Sequence, residues 1–347
     1  MKRLSSWILV AALACTPFWL TNQYYLNVLI MMGIFTIAAM SLNLLLGYAG
    51  QLSLGHVAFF GIGAYTYSLL SLGFDLHLSD SYVFVLDPKP AWLAFAGGIV
   101  VAGIFGWFVG RLSFRVRGAY FVIVTISFAE VMRLVAVNWV DLTQGPMALN
   151  NIPSLAFAIP IPWAKTVALQ HRIANYYLVL FVAILVFIII QRLVRSRIGR
   201  AMVALRENEA LAKSVGIHVT RYLVLAAIAS AAMAGAAGCL YAQYVRIVDP
   251  DVFLFIYTVT MVIMVISGGK GTLAGPLVGG IIFSIVPELM RGQAVPEIQW
   301  IVYGALMILI VHFLPEGIVP AIERLASKCE LTGRREVARN VQLKAGK

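Results

Sequence analysis

Three sets of residues in this chain are of types that could do chemistry. Gly50, Gln51, Ser53 and His56, followed by Phe59, Phe60 and Tyr65, put hydrogen-bonding groups and aromatic faces into a glycine-rich stretch. Such a backbone can leave regular helix where it lines a cavity, and its polar groups can meet the polar end of a substrate. A tight turn with helix-to-helix hydrogen bonds fits the same residues, and no carboxylate stands near His56 to make it a proton carrier. Glu130 and Arg133, at i and i+3, can neutralise each other on one helix face inside an apolar run, or Arg133 can snorkel toward an interface. The third set is the charged run 196–221, with Arg197, Arg200, Arg206, Glu207, Glu209, Lys213 and Arg221. Its neighbours, 176–190 and 222–241, carry no charge, so this run must lie in water.

Catalytic signatures are missing. The chain has no HExxH and no GxSxG. Gly269 and Lys270 are followed by Gly271 where a phosphate loop needs Ser or Thr, and Met264 stands where its first glycine belongs. Cys15, Cys239 and Cys329 are too scattered for a metal site or a disulfide framework. No metal or cofactor is expected on this chain, and it has no visible means of hydrolysing ATP.

These residues need elements to position them, and composition says which. Of 347 residues, 61% are hydrophobic and 12% charged, and the mean hydropathy is +0.90. A soluble surface needs about twice that charge. The apolar runs are continuous, without the alternation of a barrel strand, so the fold class is an all-α, polytopic membrane helix bundle. Ten spans are expected, near 7–21, 25–46, 54–73, 91–110, 119–138, 175–194, 222–245, 253–267, 273–290 and 299–314. The first begins behind Lys2 and Arg3 and ends near Cys15 like a lipoprotein signal. Its uncharged run continues through Leu20, which favours an uncleaved span.

Charge sets the orientation. With both termini inside, about 20 of the 26 Lys and Arg fall on the cytoplasmic side, which places 196–221 there. The net charge of +11 is thereby explained without nucleic acid. Residues 1–315 read as one transmembrane domain, with outer loops 74–90 and 139–174, the latter a cap or interfacial helix. Residues 316–347 read as a cytoplasmic tail near anionic lipid. Within 196–221, Ile198, Met202, Leu205, Ala212 and Val215 fall at helical spacing, which predicts a short amphipathic helix stopped by Gly216. Small residues predict close helix packing at Gly106 and Gly110, at Ala226, Ser230, Ala234 and Gly238, and at Gly271, Gly275 and Gly279.

The run LNLLLGYAGQLSLGHVAFFGIGAY resembles the signature of membrane permeases of branched-chain amino-acid ATP-binding-cassette importers, the LivM type. Agreement extends to Arg117–Phe121 with Phe128–Glu130, to SRIGRAMVALRENEALAKSVGI, to SGGKGTLAGP at 267–276 and to FLPEGI at 313–318, nearly the whole chain. The resemblance implies a subunit of the bacterial inner membrane that pairs with a second related permease and binds two cytoplasmic ATPases. Substrate would arrive from an extracytoplasmic binding protein, and ATP would be used by the partners. It also implies that 196–221 docks into the ATPase through an EAA-like pattern, with Arg200, Arg206, Glu207, Glu209, Ala212 and Gly216 in the coupling segment. Here Ala212 and Gly216 match the pattern's last Ala and its Gly, while the acid, Glu209, sits one place early.

A second departure lies in the outer loop. The family's TGGxxGL-like run reads Thr143-Gln144-Gly145-Pro146-Met147-Ala148-Leu149 here, with two glycines replaced. Related permeases also carry urea, short amides or aromatic acids, so the substrate stays open. An ion-coupled transporter acting alone would have to use Glu130 and Arg133, and a membrane-embedded enzyme would need a polar cluster that the sequence lacks.

Overall fold

At membrane depth no water satisfies backbone N–H and C=O groups, so apolar runs close their hydrogen bonds internally as helices. A computed structural model describes residues 16–17, 23–79, 82–114, 118–155, 167–289, 298–322 and 324. The second to tenth expected spans all appear there as helices. The first lies almost wholly outside the described residues, as do Arg117, residues 156–166 of the 139–174 loop and the tail beyond Arg324.

The helices are α1 (Gln23–Asn43, continued by a π-helical turn, Leu44–Tyr48), α2 (Val57–Leu72), α3 (Ala91–Ser113) and α4 (Ala119–Asn138). They continue with a short α5 (Val140–Thr143), α6 (Val167–Arg195), α7 (Arg197–Glu207) and α8 (Glu209–Ser214). Next come α9 (Val219–Val245), α10 (Phe255–Gly268), α11 (Gly275–Leu289) and α12 (Ile298–Phe313). Five are long and apolar enough to cross a membrane by themselves: Gln23–Tyr48, Ala91–Ser113, Tyr120–Asn138, His171–Arg195 and Val219–Val245.

Contacts between loops sort them onto two faces in the alternation that charge predicts. On one face Arg206 meets Gly47 and Gly50, while Gly269 packs against Gly317 and Pro320. On the other, Tyr67 Oη donates to Pro153 O at 2.7 Å and Arg246 Nε donates to Ile152 O at 3.1 Å. Two small antiparallel sheets lie on this second face. β1 (Phe74–Ser79) pairs with β2 (Tyr82–Leu86), and β3 (Leu149–Asn150) with β4 (Ile247–Val248). The 74–90 loop therefore carries a hairpin where the sequence predicts only a connection; Gly73 opens it at φ 76°.

The centre is α9, packed on α2 and α3 through small residues. A Cβ at Gly106 would strike the Ala231 Cβ, and one at Gly63 the Gly235 backbone. Ala226, Ser230 and Ala234 are each fully buried, so the row predicted on this helix is a packing seam. The row at 271, 275 and 279 differs. Gly271 lies in the loop before α11 at φ 76°, and only Gly275 and Gly279 are helical. By contrast α4 is peripheral, with Tyr120, Ile123, Val131, Leu134 and Val135 exposed on this chain.

Candidate functional site

Asn43 ends the regular part of α1 because its side chain is engaged elsewhere. Its Nδ2 donates to Thr272 O at 2.8 Å, and its Oδ1 accepts from Gly271 N at 2.9 Å. That two-way bond draws the loop before α11 against Gly47, where any Cβ would collide with Gly271. Beyond Asn43 the ladder widens. Ala49 N donates to Leu44 O at 3.2 Å and Gln51 N to Leu45 O at 2.9 Å, and the chain turns at Gly50 with φ 71°. Single π-helical turns of this kind recur at functional sites.

The charged segment packs against this break. It forms two helices rather than the single one predicted, because Asn208 leaves helical geometry at φ −157° and caps α8 by accepting from Leu211 N at 3.0 Å. Ser196 caps α7 in the same way, accepting from Ile198 N at 3.2 Å. Met202, Leu205 and Ala212 are buried as expected, whereas Val215 is 71% exposed and Leu211 is 63% exposed, since the break turns α8 outward. Gly216 does stop the helix. It sits at φ 87°, donates to Lys213 O at 3.1 Å, and is followed by an Ile217 N–H bond to Ala212 O at 3.1 Å, the paired bonds of a Schellman turn.

Arg206, in the last turn of α7, makes the long-range contact. Its Nη1 donates to Gly47 O at 2.5 Å, and its stem lies over Gly50, where a Cβ would come within 2.7 Å of the Arg206 Cγ. Glu207 pairs with the same guanidinium at 2.5 Å. A Cβ at Gly271 would likewise meet Nη1 at 2.7 Å, so the guanidinium sits between the π-helical turn and the loop before α11. Arg200 turns away, donating to Arg195 O at 3.1 Å on the exposed surface. Glu209 opens α8, where an acid favours the helix N-terminus.

The residues with polar or aromatic groups near the break are mostly packed inside this chain. Gly50 is exposed and Gln51 half-buried, while Ser53, Phe59, Phe60 and Tyr65 are buried and His56 is completely so. Ser41 Oγ donates to Ala38 O at 2.6 Å, so at 2.8 Å it accepts from His56 Nε2, which assigns a ring proton to that nitrogen. Ser230 Oγ donates to Ser41 O at 2.6 Å, tying α9 to the same point. Phe60 stacks on Phe35, and Tyr65 on Phe253. Sequence reasoning did not single out Asn43 or Ser41 and read Ser230 only as a small packing residue; the signal available was an isolated polar side chain on an apolar helix, which is expensive unless bonded.

Glu130 and Arg133 form the ion pair expected from their spacing, with Arg133 Nη2 to Glu130 Oε1 at 2.7 Å and Nε to Oε1 at 3.0 Å. The pair lies on the outward face of α4, with half of the Glu130 side chain exposed on this chain. On the face that carries β3 and β4, a cavity of about 450 Å³ is lined by Asn27, Arg172, Asn175 and Gln243 among others. Gln243, buried, donates to Asn175 Oδ1 at 2.9 Å and accepts from Leu155 N at 3.0 Å, pinning the outer loop to α9. In that loop Gln144 (φ 57°) and Ala148 (φ 62°) hold positive φ at the two places where the sequence departs from glycine. Ala148, with ψ 152°, occupies a region that costs a side chain about 1–3 kcal/mol.

Comparison with known proteins adds to this geometry. Residues 24–311 match the family model described as the permease component of the branched-chain amino acid transport system. The chain is 30% identical over 329 residues to the high-affinity branched-chain amino acid transport system permease protein LivM of Salmonella typhimurium, covering 90% of this chain and 73% of that one. It is 27% identical over 297 residues to the permease protein LivH of the same system and organism, covering 84% and 93%. To the permease protein BraD of Pseudomonas aeruginosa it is 24% identical over 312 residues, covering 87% and 97%. No solved structure matches the chain.

Proposed function

Because the chain belongs to the family of branched-chain amino acid transport permeases, we propose that it forms half of the translocation pathway of an importer driven by ATPases on separate chains. The family makes it a transport subunit and a multi-pass inner-membrane protein. The proposal adds a second, related permease, two cytoplasmic ATP-binding subunits, an external binding protein and a branched-chain amino acid as cargo. Similarity to both LivM and LivH supports the paired permease.

One observation carries the coupling mechanism. The cytoplasmic segment holds the membrane break directly, through Arg206 on Gly47 O. On its other side α8 presents Leu211 and Val215 to solvent, a small apolar patch beside Glu209 and Gly216. An ATPase seated on that patch would move α8 and α7 as it closes. The Arg206 clasp would carry the motion to the π-helical turn and, through Asn43, to the loop before α11.

In this mechanism Gly50 and Gln51, the open members of the break, meet the pathway. Ser53, His56, Phe59, Phe60 and Tyr65 hold its shape from behind. Glu130 and Arg133 neutralise each other on a face that a second permease would cover. Cargo selection can rest in the binding protein, since a small zwitterion needs only a few dipoles and apolar surface on its way through.

The test is uptake of labelled leucine by proteoliposomes. The complete importer should take it up only with ATP available to its ATPase subunits, and this chain alone should take up none under a proton or sodium gradient. Gradient-driven uptake by the chain alone would overturn the reading.

A further inference from the structure

A cavity of about 980 Å³ opens at the cytoplasmic end of the bundle, between the end of α3 and the start of α9, and the transport mechanism makes no use of it. Its rim is cationic. Arg111, Lys213, His218 and Arg221 line it, all exposed, and no carboxylate belongs to the lining. None of the three permanent cations has an acidic partner among the described residues. The deeper wall is apolar: Val224, Leu225 and Ile228 lie one to three turns into the α9 span, and the Trp107 ring faces them, 48% exposed.

We propose that this cavity binds an anionic phospholipid of the cytoplasmic leaflet, the phosphate held by Arg111 and Arg221 and the upper acyl chains lying along Trp107, Leu225 and Ile228. Three features select that occupant. Cations at the inner interface attract anionic headgroups, and an indole at that depth is a common interfacial anchor. An apolar wall continuous with the rim suits acyl chains and would be wasted on a free anion. The basic C-terminal tail, with Lys328, Arg334, Arg335, Arg339, Lys344 and Lys347 against Glu330 and Glu336, has the wrong charge to fill it.

The site is also preformed. A Cβ at Gly110 would contact the Ala227 Cβ at 3.0 Å, so α3 and α9 are locked together just beside the opening. Gly216, the turn that ends α8, is part of the lining, so a bound lipid would brace the coupling segment from the membrane side.

The test uses the complete importer in detergent, titrated with phosphatidylglycerol and, separately, with phosphatidylcholine of the same acyl chains, with bound lipid counted by native mass spectrometry. Phosphatidylglycerol should bind saturably and preferentially. Removing two interfacial cations in Arg111→Gln with Arg221→Gln should weaken it about 30-fold. Arg192→Gln with Arg195→Gln, which removes the same charge outside the cavity, should leave binding unchanged. If the first pair lowers the unfolding temperature, Lys213→Gln with His218→Gln replaces it and should again weaken binding. Excess glycerol phosphate should not displace the lipid.

Four results would each overturn the proposal: equal retention of phosphatidylcholine, equal loss in the Arg192 and Arg195 control, full displacement by glycerol phosphate, or binding to the permease pair without its ATPases that is absent from the complete importer. The third would mark a free-anion site, and the fourth a surface belonging to the ATPase interface.

Discussion

Replacing Arg206 by Met in the complete importer is expected to lower uptake per ATP hydrolysed by about 10- to 100-fold, the worth of one hydrogen bond from a charged donor. The stem would still cover Gly50, but the bond to Gly47 O would be gone and the π-helical turn would no longer follow α7. Because α8, Leu211 and Val215 are untouched, ATPase docking and ATP turnover should persist. A merely structural role would depress both rates in proportion. Arg206→Lys, which keeps a charge but not the fork of donors, should recover part of the ratio. Uptake and turnover measured in the same proteoliposomes decide the matter, and an unchanged ratio would remove Arg206 from the coupling route.

The second large effect concerns the frame rather than the motion. Gly238→Ala should destabilise the bundle by about 3 kcal/mol or more, because overpacking against backbone cannot be relieved by a rotamer change. The new Cβ would press into the Phe60 carbonyl, with Phe60 C at 2.8 Å and Ala64 N at 3.0 Å. Gly304→Ala offers the opposite case. Among the described residues nothing lies within 4 Å of a Cβ there, and Ala is the better helix former by about 1 kcal/mol, so stability should hold or rise. Unfolding midpoints in micelles compare the two directly; matching midpoints would refute the assignment of α9 as the packed centre.

The contrast between those glycines shows what could be read from the sequence. The row Ala226, Ser230, Ala234 and Gly238 repeats at four on an uncharged span, and a buried helix is the direct consequence. Gly304 stands alone in its span, and among the described residues nothing would meet a Cβ there. The helices of the second to tenth spans and the stop at Gly216 were legible for the same reason: hydrophobicity and backbone freedom act locally.

Other features depended on the assembled fold. The apolar spacing from Ile198 to Val215 suggests one helix, and only the side-chain cap at Asn208 divides it. The polar character of Asn43 was visible, but its partners at Gly271 and Thr272 lie more than 200 residues away in sequence. Arg206 stood in the predicted coupling set, yet nothing local said that it reaches Gly47 across 159 positions. The packing of His56 was not legible locally, because its neighbours Ser41 and Ser230 sit on two other helices. The hairpin at 74–86 escaped because a short strand pair inside a loop adds little periodicity.

The proposed mechanism requires that 196–221 transmit the work of a separate ATPase. The most direct measurement follows leucine uptake and ATP turnover together in proteoliposomes holding the complete importer, with Glu209→Gln and Gly216→Val combined in this chain. The first change removes the acid at the start of α8, and the second forces a branched side chain into the positive φ of its closing turn. Uptake and ATP turnover should fall together while the unfolding midpoint of the permease holds, since the ATPases would lose the surface that couples their closure to the membrane without loss of the fold. Wild-type rates of both would contradict the central claim.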